Sequence, residues 1–417
     1  MFKQELLENS SKCIEKSLQI KMLLSKNKLN ISQMNPKTKT FYKNINSIIS
    51  SIYNNTINDN KDFTSNKCQP SSSPELSSIF LDSNTTKEIN KNTCLTKPNE
   101  AIKIYSNNKQ IIKNVFMRTL LMEKVFNQKV NDLTISFTKQ IRQLPDYKIQ
   151  IKPKNINGGW TYFSPEQTGI VVYREEEYAK VLLHELIHSF KYEISKEAAQ
   201  KYESNIEYII EYDSNMKLIN ETFVELGANI LNSILLPIEA QKYNFFQVFE
   251  YERYWSLYQA AKLIVHYGFD SFYKFLKYKK CLIISDEQTC QTKCTTVQNG
   301  KCVLQSEHPI ISETTNFVSY MINRAIAMYS INEYSEILND IMTKNNNNIS
   351  FLFYINQNQD SIKFVDLILN GYTNKEFAKT MDFLIKQIKK KEFKKMYSQT
   401  EFSVYNTTRM TATELQI

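Results

Sequence analysis

The stretch that constrains this chain most runs from residue 181 to 190: Val-Leu-Leu-His-Glu-Leu-Ile-His-Ser-Phe. It holds neither proline nor glycine, and its apolar residues predict a buried helix. Positions four apart share one helical face, so His184 and His188 present two imidazoles to one point. Glu185 stands beside them with a carboxylate free to hold a water. The chain has four histidines, and two of them form this pair. Glu175, Glu176 and Glu177 lie where acidic residues complement the dipole of a starting helix.

Two imidazoles and a glutamate spaced His-Glu-x-x-His form the zinc-peptidase signature. A catalytic zinc takes three protein ligands and keeps a fourth position for water, so a third donor must come from elsewhere. The metzincin extension requires glycine at 191 and histidine at 194. Lys191 and Ile194 exclude it. Asn220-Glu221-Thr222-Phe223-Val224-Glu225 offers a second helix carrying a glutamate. With it, residues 181–226 resemble the gluzincin metallopeptidases, whose second zinc helix reads Asn-Glu-x-x-x-Asp/Glu. The resemblance implies a Zn2+ site of His184, His188 and Glu221, with Glu225 accepting a hydrogen bond from a ligand histidine and fixing its tautomer. It also implies a zincin-like α+β fold, in which a small mixed sheet packs on the His-Glu-x-x-His helix and a mainly helical subdomain follows. One departure stands out: residues 189–220 separate His188 from Glu221, a longer stretch than is usual in that family. Glu207, with Glu211 four residues on, sits nearer the usual spacing and competes for the role. Choosing Glu221 makes residues 194–212 an inserted helix.

The implied reaction is zinc-assisted hydrolysis of a peptide bond, with Glu185 as general base. A donor for the oxyanion is sought on the segment after the glutamate helix, where His266 leads Tyr254, Tyr258 and Tyr267. No Gly-x-Met-x-Asn exopeptidase marker is present, which favours an endopeptidase acting on a peptide or protein. The rival reading is a catalytically silent zincin-fold scaffold or binding protein. Glu185 argues against it, because holding a metal does not require that carboxylate.

Length and composition divide the rest. At 417 residues the chain has ample length for a sizeable core. Residues 1–29 read as an amphipathic helical segment. Residues 30–99 turn to Asn, Ser, Thr and Lys and read as a flexible linker with a short helix near 43–53. Residues 100–397 are the expected metallopeptidase domain, with zinc helices near 176–190 and 218–233, and 398–417 a loose tail. Within the domain, residues 111–144 are expected to be helical, 147–152 and 169–173 to be strands, and Trp160 and Tyr162 to line the cleft or pack in the core. No secretory leader and no uninterrupted apolar run of membrane-spanning length is recognised, which makes the cytoplasm the expected address, a virion or host compartment being the alternative.

Two further constellations carry less. Cys281, Cys290, Cys294 and Cys302 crowd together with His308, without the tight spacing of common zinc ribbons. Asn299-Gly300 is a hairpin signal. The net charge of +9 and the lysines of residues 386–395 come with no nucleic-acid fold signature, so no specific nucleic-acid partner is expected. Oligomeric state is not legible from sequence.

Overall fold

The computed structural model describes residues 8–29, 31–59, 66–67, 94–96, 102–106, 108–163, 168–191, 193–210, 212–213, 218–276, 296–298, 301–303, 311–312, 314–350, 358–398 and 402–414. The fold is α+β, dominated by helix around one small mixed sheet. The sheet comprises β1 (Asn66–Lys67), β2 (Cys94–Thr96), β3 (Ile102–Tyr105), β4 (Asp132–Thr138), β5 (Gly159–Phe163) and β6 (Thr168–Arg174), in the spatial order β1-β2-β3-β4-β6-β5. β3, β4 and β6 run parallel; β5 turns back antiparallel on β6, Gly159 opposite Val172 and Phe163 opposite Thr168, and forms an edge. β4 is buried at all but its first residue, as in strands covered on both faces.

Helices α1 (Glu8–Lys26), α2 (Pro36–Asp59) and α3 (Lys109–Phe126) come first in the chain. α4 (Tyr178–Ser189), α5 (Lys196–Ile209), α6 (Ile219–Ala240) and α7 (Phe245–His266) follow β6. A π-helical turn, Val318–Asn323, runs into α8 (Arg324–Tyr329), and α9 (Ile331–Lys344), α10 (Asn358–Thr373), α11 (Lys375–Lys391) and α12 (Phe393–Tyr397) follow, besides two four-residue helices, Pro153–Ile156 and Phe272–Phe275. α4 lies against β5 and β6 on one side and α6 on the other; α6 packs on α7, which α1 and α11 flank. α6 is long and apolar enough by length and composition to cross a membrane, although Glu221, Glu225, Asn229 and Asn232 interrupt its apolar residues. Its most apolar window is 89% buried inside the protein, as for a core helix. Arg118 of α3 ties the layers together: it donates to Glu239 of α6 and, at 2.9 Å, to the Ala179 carbonyl at the start of α4.

Several expectations need correction. Residues 36–59, read as part of a flexible linker with only a short helix near 43–53, form α2 throughout. Phe41, Tyr42, Ile45, Ile49 and Tyr53 make one buried stripe on it, which the polar composition averaged over 30–99 conceals. Residues 402–414, read as a loose tail, are mostly buried although irregular. The Gln259 side chain donates to the Arg409 carbonyl at 2.6 Å, and the Glu252 carboxylate accepts from the Ala412 and Thr413 amides at 3.0 and 3.1 Å. Buried polar groups, not a repeating apolar pattern, hold this segment. The helix expected over 111–144 stops at Phe126 because Asn127 adopts a left-handed conformation, φ 51°, that caps it. Leu133, Ile135 and Phe137 then alternate along β4. Residues 147–152 form no strand. The helix expected over 218–233 runs to Ala240.

Candidate metal centre

α4 begins at Glu177, whose own backbone is left-handed, φ 63°, and whose side chain does not cap the helix. The C-terminal segment serves instead: the Glu414 carboxylate accepts from the Glu177 amide, and the Glu177 carboxylate accepts from Arg142, the Met410 amide and the Thr411 amide. So anchored, α4 carries His184, Glu185 and His188 in its last two turns.

The helical spacing brings His184 Nε2 within 3.2 Å of His188 Nε2. Across from them, α6 places a Glu221 Oε2 atom 3.3 Å from each of those two nitrogens. A tetrahedral zinc with bonds of about 2.0–2.1 Å needs donors about 3.3–3.4 Å apart. The three atoms stand at that spacing, and two imidazoles with a carboxylate are a donor set suited to the ion. The His188 and Glu221 side chains are 11% and 14% exposed, against 7% for His184. Glu207, the competing carboxylate, lies on an exposed position of α5 and is not part of the cluster.

Glu225, one turn beyond Glu221, is fully buried and accepts from His184 Nδ1 at 3.1 Å. The same carboxylate meets the Lys180 ammonium, the Arg324 guanidinium at 2.9 Å and the Asn229 amide at 3.0 Å. Burial alone would raise its pKa; Lys180 and its other partners hold it down to about 2. Burial works against charge on His184, yet its bonds to Glu221 and Glu225 push the imidazole up to about 9. Glu221, despite burial, is held well below the usual carboxylate range by His188 and His184.

Glu185 faces β5. Thr161 Oγ1 lies 2.9 Å from Glu185 Oε2 and 3.0 Å from its carbonyl oxygen, fixing the carboxylate. Burial raises the Glu185 pKa, against the pull of His184, His188 and Thr161. β5 comes this close because Gly159 has no side chain: a Cβ there would meet the Val171 carbonyl at 2.7 Å and Glu185 Cγ at 3.1 Å. Trp160 and Tyr162 alternate to the other face, where they pack on Val171 and Tyr173 and do not line the cleft beside Glu185.

The residues sought for the oxyanion lie elsewhere. His266 is fully buried, with Nε2 2.8 Å from the Ile149 carbonyl and Nδ1 3.0 Å from the Tyr397 hydroxyl. Both ring nitrogens are therefore used in packing, and burial lowers its pKa to about 4. The Tyr258 hydroxyl is bonded to Glu392, and the Tyr267 hydroxyl to the Ile151 amide. The group that does stand at the cluster is Tyr320, in the π-helical turn. Its hydroxyl donates to Glu221 at 3.0 Å and its ring meets His184 edge-on, with centroids 5.8 Å apart. Such turns recur at functional sites, but nothing in the local sequence marks this one.

Cys281, Cys290, Cys294 and His308 lie outside the described residues. Cys302 belongs to the strand Lys301–Val303, which pairs antiparallel with Thr296–Gln298 around Asn299-Gly300. In the lysine run, Lys386 pairs with Asp382 and Lys389 with Asp270. No family model, no curated protein and no solved structure matches this chain.

Proposed function

We propose that the chain is a zinc-dependent peptidase, a divergent relative of the gluzincins, and that it cleaves within peptide or protein substrates. The convergence of His184, His188 and Glu221 at 3.2–3.3 Å beside a buried glutamate is the observation that carries this reading. Zinc, when bound, would act as a Lewis acid on the scissile carbonyl and lower the pKa of a bound water toward neutrality. The remaining work falls to the chain. Glu185 takes a proton from the attacking water and passes it to the leaving amine, a task suited to a carboxylate whose pKa burial has raised. Thr161 occupies one Glu185 oxygen and so aims the other. Tyr320 is the hydroxyl donor for the developing oxyanion. Glu225 fixes the tautomer and orientation of His184.

Two further features support a zincin-like arrangement. The strand beside the metal helix is the antiparallel edge of an otherwise parallel run, so its outer backbone groups can pair with an extended substrate. The glutamate helix follows downstream, with α5 as the insertion between them. The experiment is cleavage of a peptide library by the full chain, by Glu185→Gln and by chelator-treated protein. Cleavage that chelator abolishes and Glu185→Gln removes supports the reading. Loss of metal with no loss of a partner-binding activity would instead indicate the scaffold.

A further inference from the structure

Away from the metal centre, α1, α2 and α7 border an open cleft of about 690 Å³. Lys21, Lys39, Lys43 and Arg253 line it. Lys39 and Lys43 are one turn apart on α2 and share a face, both exposed, and among the described residues neither has an ion-pair partner. The acid in the lining, Glu250, is already paired with Lys21 at 3.0 Å. Arg253 is 5% exposed and donates to the Met328 and Ser32 carbonyls at 2.8 and 2.9 Å.

That environment sets Arg253 apart. Arg118, Arg142, Arg324 and Arg409, all fully buried, each meet a carboxylate. Arg174 has none but donates to three backbone carbonyls. Arg253 has two carbonyls, no carboxylate within ion-pair distance among the described residues, and a place in the wall of a cleft. Burial lowers its pKa to about 10. A guanidinium buried without an anion is unfavourable unless an anion arrives, and with Nε and Nη2 given to the Met328 and Ser32 carbonyls it is Nη1 that is left for phosphate oxygens. Phe246 and Tyr254 supply aromatic surface in the same cleft, and its volume falls in the range of small-molecule sites.

We propose that this cleft binds a phosphorylated small molecule with an aromatic body, a nucleotide being the simplest case, its phosphates held by Lys39, Lys43 and Arg253 and its ring against Phe246 and Tyr254. The site shares no residue with the metal centre, so it stands or falls separately from the peptidase reading.

The test is calorimetric titration of the full chain with magnesium-saturated ATP, pyrophosphate and adenosine. The variants are Lys39→Glu/Lys43→Glu, Arg253→Gln, and the control Lys390→Glu/Lys391→Glu on the exposed face of α11. ATP is expected to saturate at one per chain and to bind more tightly than pyrophosphate or adenosine. Lys39→Glu/Lys43→Glu, whose exposed sites tolerate the change, is expected to weaken ATP at least about tenfold, while the control pair leaves it within about twofold. Three results would overturn the proposal: no saturable ATP binding, equal weakening by the control pair, which would mean diffuse attraction to a basic protein, or pyrophosphate binding as tightly as ATP.

Discussion

At the scale of single residues, the proposed site brings together groups whose chemistry differs. Glu185→Gln keeps the size of the side chain and every metal donor, so metal content is expected to stay at the wild-type level while kcat falls by about 10²–10⁴. A Glu185→Gln protein that turns over normally contradicts the general-base role. Tyr320→Phe removes one hydroxyl; steady-state kinetics are expected to show kcat reduced about 10²-fold or more with KM little changed. His266→Gln, by contrast, should leave kcat within a few-fold. The His184–His188 pair was legible because a four-residue spacing is a local property of a helix. Glu221 was legible as one of two candidates, and only the packing of α6 against α4 separates it from Glu207. Tyr320 was not legible: it lies 99 positions from Glu221, and its approach depends on a π-helical turn rather than on any local pattern.

Among the elements, β5 and the C-terminal segment decide how well α4 is held. Gly159→Ala would set a methyl group 2.7 Å from the Val171 carbonyl, and the strand must move to relieve it. The expected cost is about 1–3 kcal/mol of stability with a matching loss of turnover, since Thr161 moves with the strand. Thermal unfolding and kinetics of this variant check both parts. In the C-terminal segment, the Thr411 and Thr413 hydroxyls donate to the buried Glu252 carboxylate at 2.5 and 2.6 Å. Thr411→Val/Thr413→Val leaves that carboxylate short of donors, and the urea midpoint is expected to fall by the equivalent of about 2–4 kcal/mol at unchanged slope. An unmoved midpoint would mean that the segment is not bound as described. β6, α4 and α6 followed from their apolar patterns. β4 did not, because a single left-handed Asn127 interrupts a run without glycine or proline, and such a cap leaves little mark on periodicity. The C-terminal segment was hidden for another reason: Met410 and Ala412 join the core without a repeating pattern, and its hydrogen bonds reach residues far back in the chain.

For the whole molecule, pH and the proposed metal are the two quantities to vary. His266 is buried and neutral in the fold, its pKa lowered from 6.5 to about 4. The unfolded chain therefore binds a proton that the folded chain does not between those values, and stability is present above about 6.5 and lost as pH falls toward 4. The full loss is about 3 kcal/mol for this group. His266→Gln should flatten that part of the stability profile, measured by chemical unfolding across the acid range; a wild-type and a variant profile of identical slope would contradict it. The central claim, that α4 and α6 hold one divalent ion between them, is tested most directly by metal analysis of the purified full chain beside Glu221→Ala, Glu207→Ala and Glu185→Gln. The expected result is one zinc per chain in the wild type, Glu207→Ala and Glu185→Gln, with most of it lost from Glu221→Ala. A wild-type chain that binds no zinc when it is supplied, or one that loses it through Glu207→Ala and keeps it in Glu221→Ala, would contradict the account.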